Sequence, residues 1–154
     1  MKSKVLAIFA VVVLAGCSSV PDKYPMGYNI RPVDDQNLLD LVSLHEVCIV
    51  RNSKVTISDF ISVLQDGFSR HNIATSVVEP ARAKSCEVTL TYAAMRGWDF
   101  KPYISHVELR LWRGGKQIGS ADYSNCCTSL SKWGTTKEKM DPIIDQLLSG
   151  KASN

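Results

Sequence analysis

The sequence predicts an α+β fold, a two-layer sandwich in which two helices cover one face of a mixed sheet of four to five strands. Three features indicate it. Short β-branched runs alternate with turn residues, two segments carry apolar residues at helical spacing, and the elements follow in the order β-α-β-β-β-β-α. The helix between the first two strands permits parallel pairing, and the later strands form an antiparallel meander.

The predicted strands comprise a short pair and a longer meander. The pair consists of β-branched runs typical of buried strands, whereas the meander alternates apolar and polar residues, which is typical of half-buried strands. Residues 97–102 are expected to interrupt the meander, and Arg113 to Lys116 (RGGK) to form a hairpin turn. The predicted bounds are 46–51, 73–78, 86–95, 103–112 and 117–125.

The first predicted helix lies between the two short strands. Thr56 is its expected N-cap with Asp59 three residues later, and Val55 and Phe60 are placed as a hydrophobic staple. Residues 70–72 suit a helix end. The apolar residues at helical spacing are Ile57, Phe60, Ile61, Leu64 and Phe68.

The second predicted helix covers residues 135–148. Thr135 and Glu138 have the spacing of a capping box. Pro142 allows two interpretations: it kinks the helix, or the helix starts there with Asp141 as its cap. The apolar stripe consists of Met140, Ile143, Ile144, Leu147 and Leu148.

The N-terminal segment, residues 1–16, has the pattern of a secretory signal peptide. Two lysines precede an unbroken apolar run over 5–14. A membrane-spanning helix needs about 20 apolar residues, so this run is too short to be one.

Residues 14–17 (LAGC) resemble a bacterial lipobox, in which the cysteine thiol receives a diacylglyceryl group. The signal peptide is then cut before the cysteine and the new amine is acylated. The resemblance makes Cys17 the lipidation site, and several acyl chains anchor a protein stably. Ser18 follows the cysteine; by resemblance to enterobacterial lipoproteins, this implies the outer membrane, with the domain facing the periplasm.

The composition of the chain after the signal peptide predicts a tether, one domain and a short tail. Residues 17–36 read as a lipidated, proline-containing tether, 37–150 as a single domain and 151–154 as a disordered tail. Removal of Lys2 and Lys4 with the signal peptide reduces the net charge from +3 to +1. No basic block is present, so we expect no nucleic-acid partner.

The cysteines predict a disulfide once Cys17 is assigned to lipid. Cys48, Cys86, Cys126 and Cys127 allow three pairings in the oxidising periplasm. We favour Cys48–Cys86, because both cysteines fall at strand positions near the centre of the domain. A disulfide between the adjacent Cys126 and Cys127 would be strained. Cys126 and Cys127 are then bonded to each other or free.

The sequence predicts no metal site, cofactor or enzymatic activity. His45 and Cys48 lack the paired spacing of a structural zinc site. Asp99 and His106 could be imagined as acid–base partners, with Glu108 nearby, but no nucleophile or metal completes a site.

Candidate binding residues lie in two loops, RGWDF over 96–100 and KWG over 132–134. Trp98, Asp99 and Trp133 are the candidates, because exposed loop aromatics can anchor a partner. The alternative is that both tryptophans cap the ends of the core.

Four segments resemble a family of small uncharacterised Gram-negative lipoproteins. They are VCIVRNSKV (47–55), CEVTLTYAAMRGWDF (86–100), YISHVELRLW (103–112) and SKWGTTKEKMDPIIDQLL (131–148). The resemblance covers nearly the whole folded domain, assigns no activity, and favours pairing of Cys48 with Cys86. The order of the elements is also loosely similar to that of envelope lipoproteins that partner lipopolysaccharide-assembly or lipid-transport machines. This similarity concerns the fold alone.

These features predict a lipid-anchored, non-catalytic binding or accessory factor for an outer-membrane or envelope complex, with a protein or lipid partner. An anchored inhibitor or immunity protein is the first alternative, although the near-neutral charge gives it no support. A periplasmic enzyme of unknown reaction is the second.

Overall fold

The computed structural model of the chain describes residues 28–30, 43–125 and 130–149. It confirms the α+β fold, with helices α1 (Phe60–Arg70) and α2 (Thr136–Ser149) packed on a mixed sheet. Within the described residues, no helix is long and apolar enough to cross a bilayer. The strands are β1 (Tyr28–Ile30), β2 (Glu46–Val50), β3 (Ala74–Val78), β4 (Val88–Asp99), β5 (Lys101–Arg113) and β6 (Lys116–Ser124).

The sheet has the strand order β1-β6-β5-β4-β2-β3. β2 pairs in parallel with both β3 and β4, and the other pairs are antiparallel, as the predicted meander requires. β1 is an addition to the prediction, because it lies within the segment assigned to the tether. A three-residue strand at a sheet edge is held by backbone pairing, so its side chains carry little pattern to reveal it.

The β4–β5 hairpin is longer than predicted. Only Phe100 separates its two strands, so the expected interruption over 97–102 is wrong. A register shift between Met95 and Arg96 keeps the strands paired beyond it. Gly and Pro in this segment suggested a loop, but pairing with the partner strand outweighs these local preferences.

α1 begins later than predicted, at Phe60, with Asp59 rather than Thr56 in the N-cap position. The Asp59 side chain does not cap its own helix; its Oδ1 accepts a hydrogen bond from Thr136 Oγ1 at 2.9 Å. The contact ties the start of α1 to the start of α2. At the other end of α1, Asn72 has a φ of 60°, consistent with the predicted helix end.

α2 confirms the predicted capping box. The Glu138 carboxylate accepts a hydrogen bond from the Thr135 backbone N–H at 2.8 Å, and the Glu138 N–H donates to Thr135 Oγ1 at 3.2 Å. The helix runs through Pro142, so the interpretation in which it starts at that proline is wrong.

The core lies between the sheet and the two helices. Alternate residues of β4 and β5 are buried there, and most of the apolar stripe of α2 belongs to the same core; the strand residues are Val88, Leu90, Tyr92, Val107, Leu109 and Leu111. The predicted disulfide joins Cys48 to Cys86, with their Cα atoms 6.2 Å apart. Cys17, Cys126 and Cys127 lie outside the described residues, as do the signal peptide and the tail.

Candidate functional site

The exposed large hydrophobic side chains of the described residues all lie at one end of the domain. We call this set the apolar tip. Exposed aromatic side chains on a fixed scaffold can anchor a partner, so this set marks a candidate contact surface. Its members and their exposed fractions are Met95 61%, Trp98 76%, Phe100 87% and Trp133 38%.

The β4–β5 hairpin places three of these residues at its end. Gly97 permits the tight packing there, because a Cβ at this position would lie 2.5 Å from the ring of Tyr103. Phe100 forms the turn with a φ of 55°, a left-handed conformation that costs a non-glycine residue about 1–2 kcal/mol. The chain therefore holds a large aromatic ring in solvent at a position that glycine would occupy without strain.

A short 3₁₀ helix, Leu130–Trp133, holds the hairpin from the side. Trp133 Nε1–H donates to the Asp99 carbonyl oxygen at 2.9 Å, and the Lys132 ammonium donates to the Asp99 carboxylate. The Lys132 side chain is 7% exposed, and its ammonium lies 4.7 Å from the Trp133 ring centroid. These contacts fix the tip before any partner arrives.

The three candidate residues from the sequence meet here. Trp98 is exposed, Trp133 is partly exposed, and Asp99 joins the hairpin to the 3₁₀ helix. Phe100 as a contact residue and Lys132 as the buried partner of Asp99 were not predicted from the sequence. Phe100 belongs to the RGWDF motif and could have been included with Trp98. The burial of Lys132 could not have been predicted, because the neighbouring sequence does not indicate it.

Cationic side chains flank the apolar tip. Arg96 and Lys101 are exposed on its two strands. The carboxylate within the tip, Asp99, is already paired with Lys132. The charge that the tip presents to solvent is therefore positive.

The sheet face opposite the helices carries a polar ladder. Arg110 Nη1 lies 2.7 Å from Asp122 Oδ1, and His106 contacts Ser124 Oγ at 2.9 Å and Glu108 Oε1 at 3.1 Å. The hydrogen bond with His106 lowers the pKa of Glu108. Arg110 with Asp122 and His106 with Ser124 join β5 to β6, and cross-strand pairs of this kind stabilise a sheet, whereas His106 and Glu108 lie on the same strand.

The ladder does not assemble the imagined acid–base pair. His106 contacts Glu108 and Ser124, whereas Asp99 contacts Lys132 at the tip. In the part of the chain that the structure describes, no group of three or more His, Cys, Asp or Glu side chains is placed to hold a metal ion.

A cavity of about 490 Å³ opens at the far end of the ladder. Trp112 forms one wall, fixed by a hydrogen bond from its Nε1–H to Thr91 Oγ1 at 2.9 Å. The 3₁₀ helix Pro80–Ser85 contributes another wall. This size falls in the range of small-molecule pockets, but its lining offers few convergent polar groups.

Comparison with known proteins finds solved structures of similar fold. No family model matches the chain, and no curated protein matches it significantly. The chain is similar in fold to PelC. Two solved structures of the PelC dodecamer from Paraburkholderia phytofirmans, one of a single-substitution variant, match with TM-scores of 0.51 and 0.52.

The match spans nearly the whole of each PelC chain. It covers 80% and 82% of this chain and 96% and 98% of the PelC chains. Sequence identity is 15% and 14%. Similarity at this level shows a shared fold and leaves function to be argued from the site.

Proposed function

We propose that this protein is a lipid-anchored, non-catalytic envelope protein that serves as a binding or accessory factor at the outer membrane. The observation that carries the proposal is the concentration of exposed large hydrophobics at one end of an otherwise well-packed domain. Aromatic anchors on a preformed scaffold are typical of binding surfaces.

The lipobox of Cys17 supports the anchor, and the test is direct. Cells expressing the wild type and Cys17→Ser are labelled with palmitate and fractionated. We expect label and outer-membrane recovery for the wild type and loss of both for the variant. Labelling of Cys17→Ser at the wild-type level would contradict the anchor.

The binding role is tested in the cell with a photoreactive amino acid. It replaces Phe100 at the tip and, as the matched control, Gln117 at the other end of the β5–β6 pair, where the side chain is also exposed. We expect crosslinks to an envelope component from position 100 and none from position 117. Equal products from both positions would contradict a specific contact surface.

Self-assembly is a second candidate, because the solved structures with this fold are dodecamers. Native mass spectrometry of the detergent-solubilised lipoprotein measures the number of copies. A single defined oligomer would support assembly, and a monomer across the accessible concentrations would remove this candidate.

A further inference from the structure

We propose that the apolar tip inserts into the interface of the phospholipid leaflet that holds the lipid anchor, so that the domain stands on the membrane at two points. This inference rests on the proposed function, because it takes Cys17 to be lipidated. It assigns the tip one occupant, a bilayer surface containing anionic phospholipid.

The strand register points the N-terminal end of β1 toward the tip. Tyr28, the first residue of β1, lies opposite Tyr123 of β6, which in turn lies opposite Val107 of β5. β1 runs in the same direction as β5, and β5 starts at the tip. The N-terminal end of β1, at Tyr28, is therefore the end that points toward the tip.

The lengths are compatible with both contacts at once. Lys101 and Val107 are six residues apart on β5, so the tip extends about 20 Å beyond the level of Tyr28. Ten residues lie between Cys17 and Tyr28, so their Cα atoms are eleven residue steps apart and at most about 36–40 Å from each other. An acyl anchor at Cys17 can thus lie in the same plane as Phe100.

The chemistry of the tip fits a lipid interface. Tryptophan rings partition to the boundary between headgroups and acyl chains because they are amphipathic, and phenylalanine is common among the side chains that interfacial segments bury there. Exposed Arg96 and Lys101 would meet anionic headgroups. Asp99, which such a surface would repel, is neutralised by Lys132.

The test uses the full lipidated protein in vesicles of phosphatidylethanolamine and phosphatidylglycerol with brominated acyl chains. The chain has three tryptophans, Trp98, Trp112 and Trp133. One variant keeps only Trp98 and the other keeps only Trp112, with phenylalanine at the remaining two positions. We expect the brominated chains to remove most of the Trp98 emission and to leave the Trp112 emission unchanged.

A second measurement needs no substitution. The unaltered lipoprotein is reconstituted with a photoactivatable phospholipid, and the labelled peptides are identified by mass spectrometry. We expect labels on residues 95–101 and none on the opposite hairpin turn at 113–116. This result supports the proposal even if a tryptophan variant fails to fold.

Headgroup charge is tested with matched pairs of substitutions. Arg96→Gln with Lys101→Gln removes two positive charges at the tip, and Arg82→Gln with Lys84→Gln removes two exposed charges elsewhere. We expect only the first pair to reduce labelling of the tip by the photoactivatable lipid. Equal labelling in both pairs would overturn recognition of anionic lipid.

Flotation with the vesicles distinguishes failure of the lipid anchor from failure of tip insertion. If the protein floats but Trp98 keeps its emission and residues 95–101 stay unlabelled, the anchor stands and the insertion is wrong. If the protein does not float, the anchor itself fails. Insertion is equally overturned if tip crosslinks in cells go to a protein while Trp98 is unquenched in vesicles.

Discussion

At the scale of single residues, the backbone conformation of Phe100 favours glycine, whereas a contact role requires its aromatic ring. Its φ of 55° favours glycine, and its ring is 87% exposed, so it contributes little to the core. Strain of this kind persists where the side chain has another use. Phe100 therefore offers a way to separate stability from binding.

We predict that Phe100→Gly leaves the free energy of unfolding unchanged or raises it by about 1 kcal/mol, because the left-handed backbone is relieved. The same variant should lose lipid labelling at the tip. Urea unfolding and photolabelling measure the two effects. Phe100→Ala is the control, since it removes the ring but keeps the strain. A marked loss of stability in Phe100→Gly would show that the ring packs on the domain.

At the scale of elements, the contact between α1 and α2 depends on a glycine. A Cβ at Gly67 would lie 2.4 Å from Ile144 Cδ1, and Ile144 is fully buried. Glycine in a helix interior costs about 1 kcal/mol relative to alanine, so close helix packing here offsets that cost.

We predict that Gly67→Ala destabilises the protein by about 1–2 kcal/mol, because overpacking exceeds the gain in helix propensity. Ile144→Val removes the Cδ1 atom that the new methyl would strike. The double variant should be more stable than the sum of the single effects predicts, which a double-mutant cycle from urea unfolding measures. Additive effects would contradict a direct clash.

The same helix pair carries an ion cluster. Arg70 Nη1 lies 2.7 Å from Asp141 Oδ1, Arg70 Nη2 lies 2.6 Å from Asp145 Oδ1, and His71 Nε2 lies 2.9 Å from the same Asp145 atom. Burial would raise the pKa of Asp145, but the hydrogen bonds from His71 and Arg70 outweigh it and lower that pKa. The hydrogen bond with Asp145 also raises the pKa of Arg70.

The pH dependence follows from the sign of that shift. A lowered carboxyl pKa stabilises the fold above the unfolded value of about 3.9, and this contribution disappears as the pH falls through the folded value. We predict that Asp145→Asn lowers the melting temperature near neutrality and that its difference from wild type shrinks between about pH 4 and pH 2. Asp66→Asn, an exposed carboxylate of α1, is the control. A difference independent of pH would contradict the ionic account.

How much the sequence predicts depends on the range of the interactions. The capping box of Thr135 and Glu138 is a contact between residues three apart. The sequence spacing therefore predicts it, and the structure confirms it. The start of α1 was misplaced because Asp59 is bound by Thr136, 77 positions away. The sequence around Asp59 does not reveal a hydrogen-bond partner so distant along the chain.

At the scale of the whole molecule, the disulfide joins β2 to Cys86, two residues before β4, across a sequence separation of 38 residues. A cross-link of that span restricts the unfolded chain and stabilises the fold by about 3–4 kcal/mol. It also holds the 3₁₀ helix Pro80–Ser85 beside the sheet.

We predict that replacing both Cys48 and Cys86 with alanine lowers the free energy of unfolding by about 3–4 kcal/mol, measured in urea under oxidising conditions. Reductant should bring the wild type close to the variant. Any reductant sensitivity that remains in the variant would arise from Cys126 and Cys127. Equal stability of the oxidised wild type and the variant would show that the bond does not form in the protein.

The sequence by itself determined the α+β class, the alternation of the meander and the capping of α2, because periodicity and short-range contacts decide them. Only the tertiary structure decided that Trp98 and Phe100 face solvent, that Lys132 is buried against Asp99, and that the N-terminal end of β1 points toward the tip. These depend on the register of strands distant in sequence, and the apolar character of a side chain does not say whether the fold covers it.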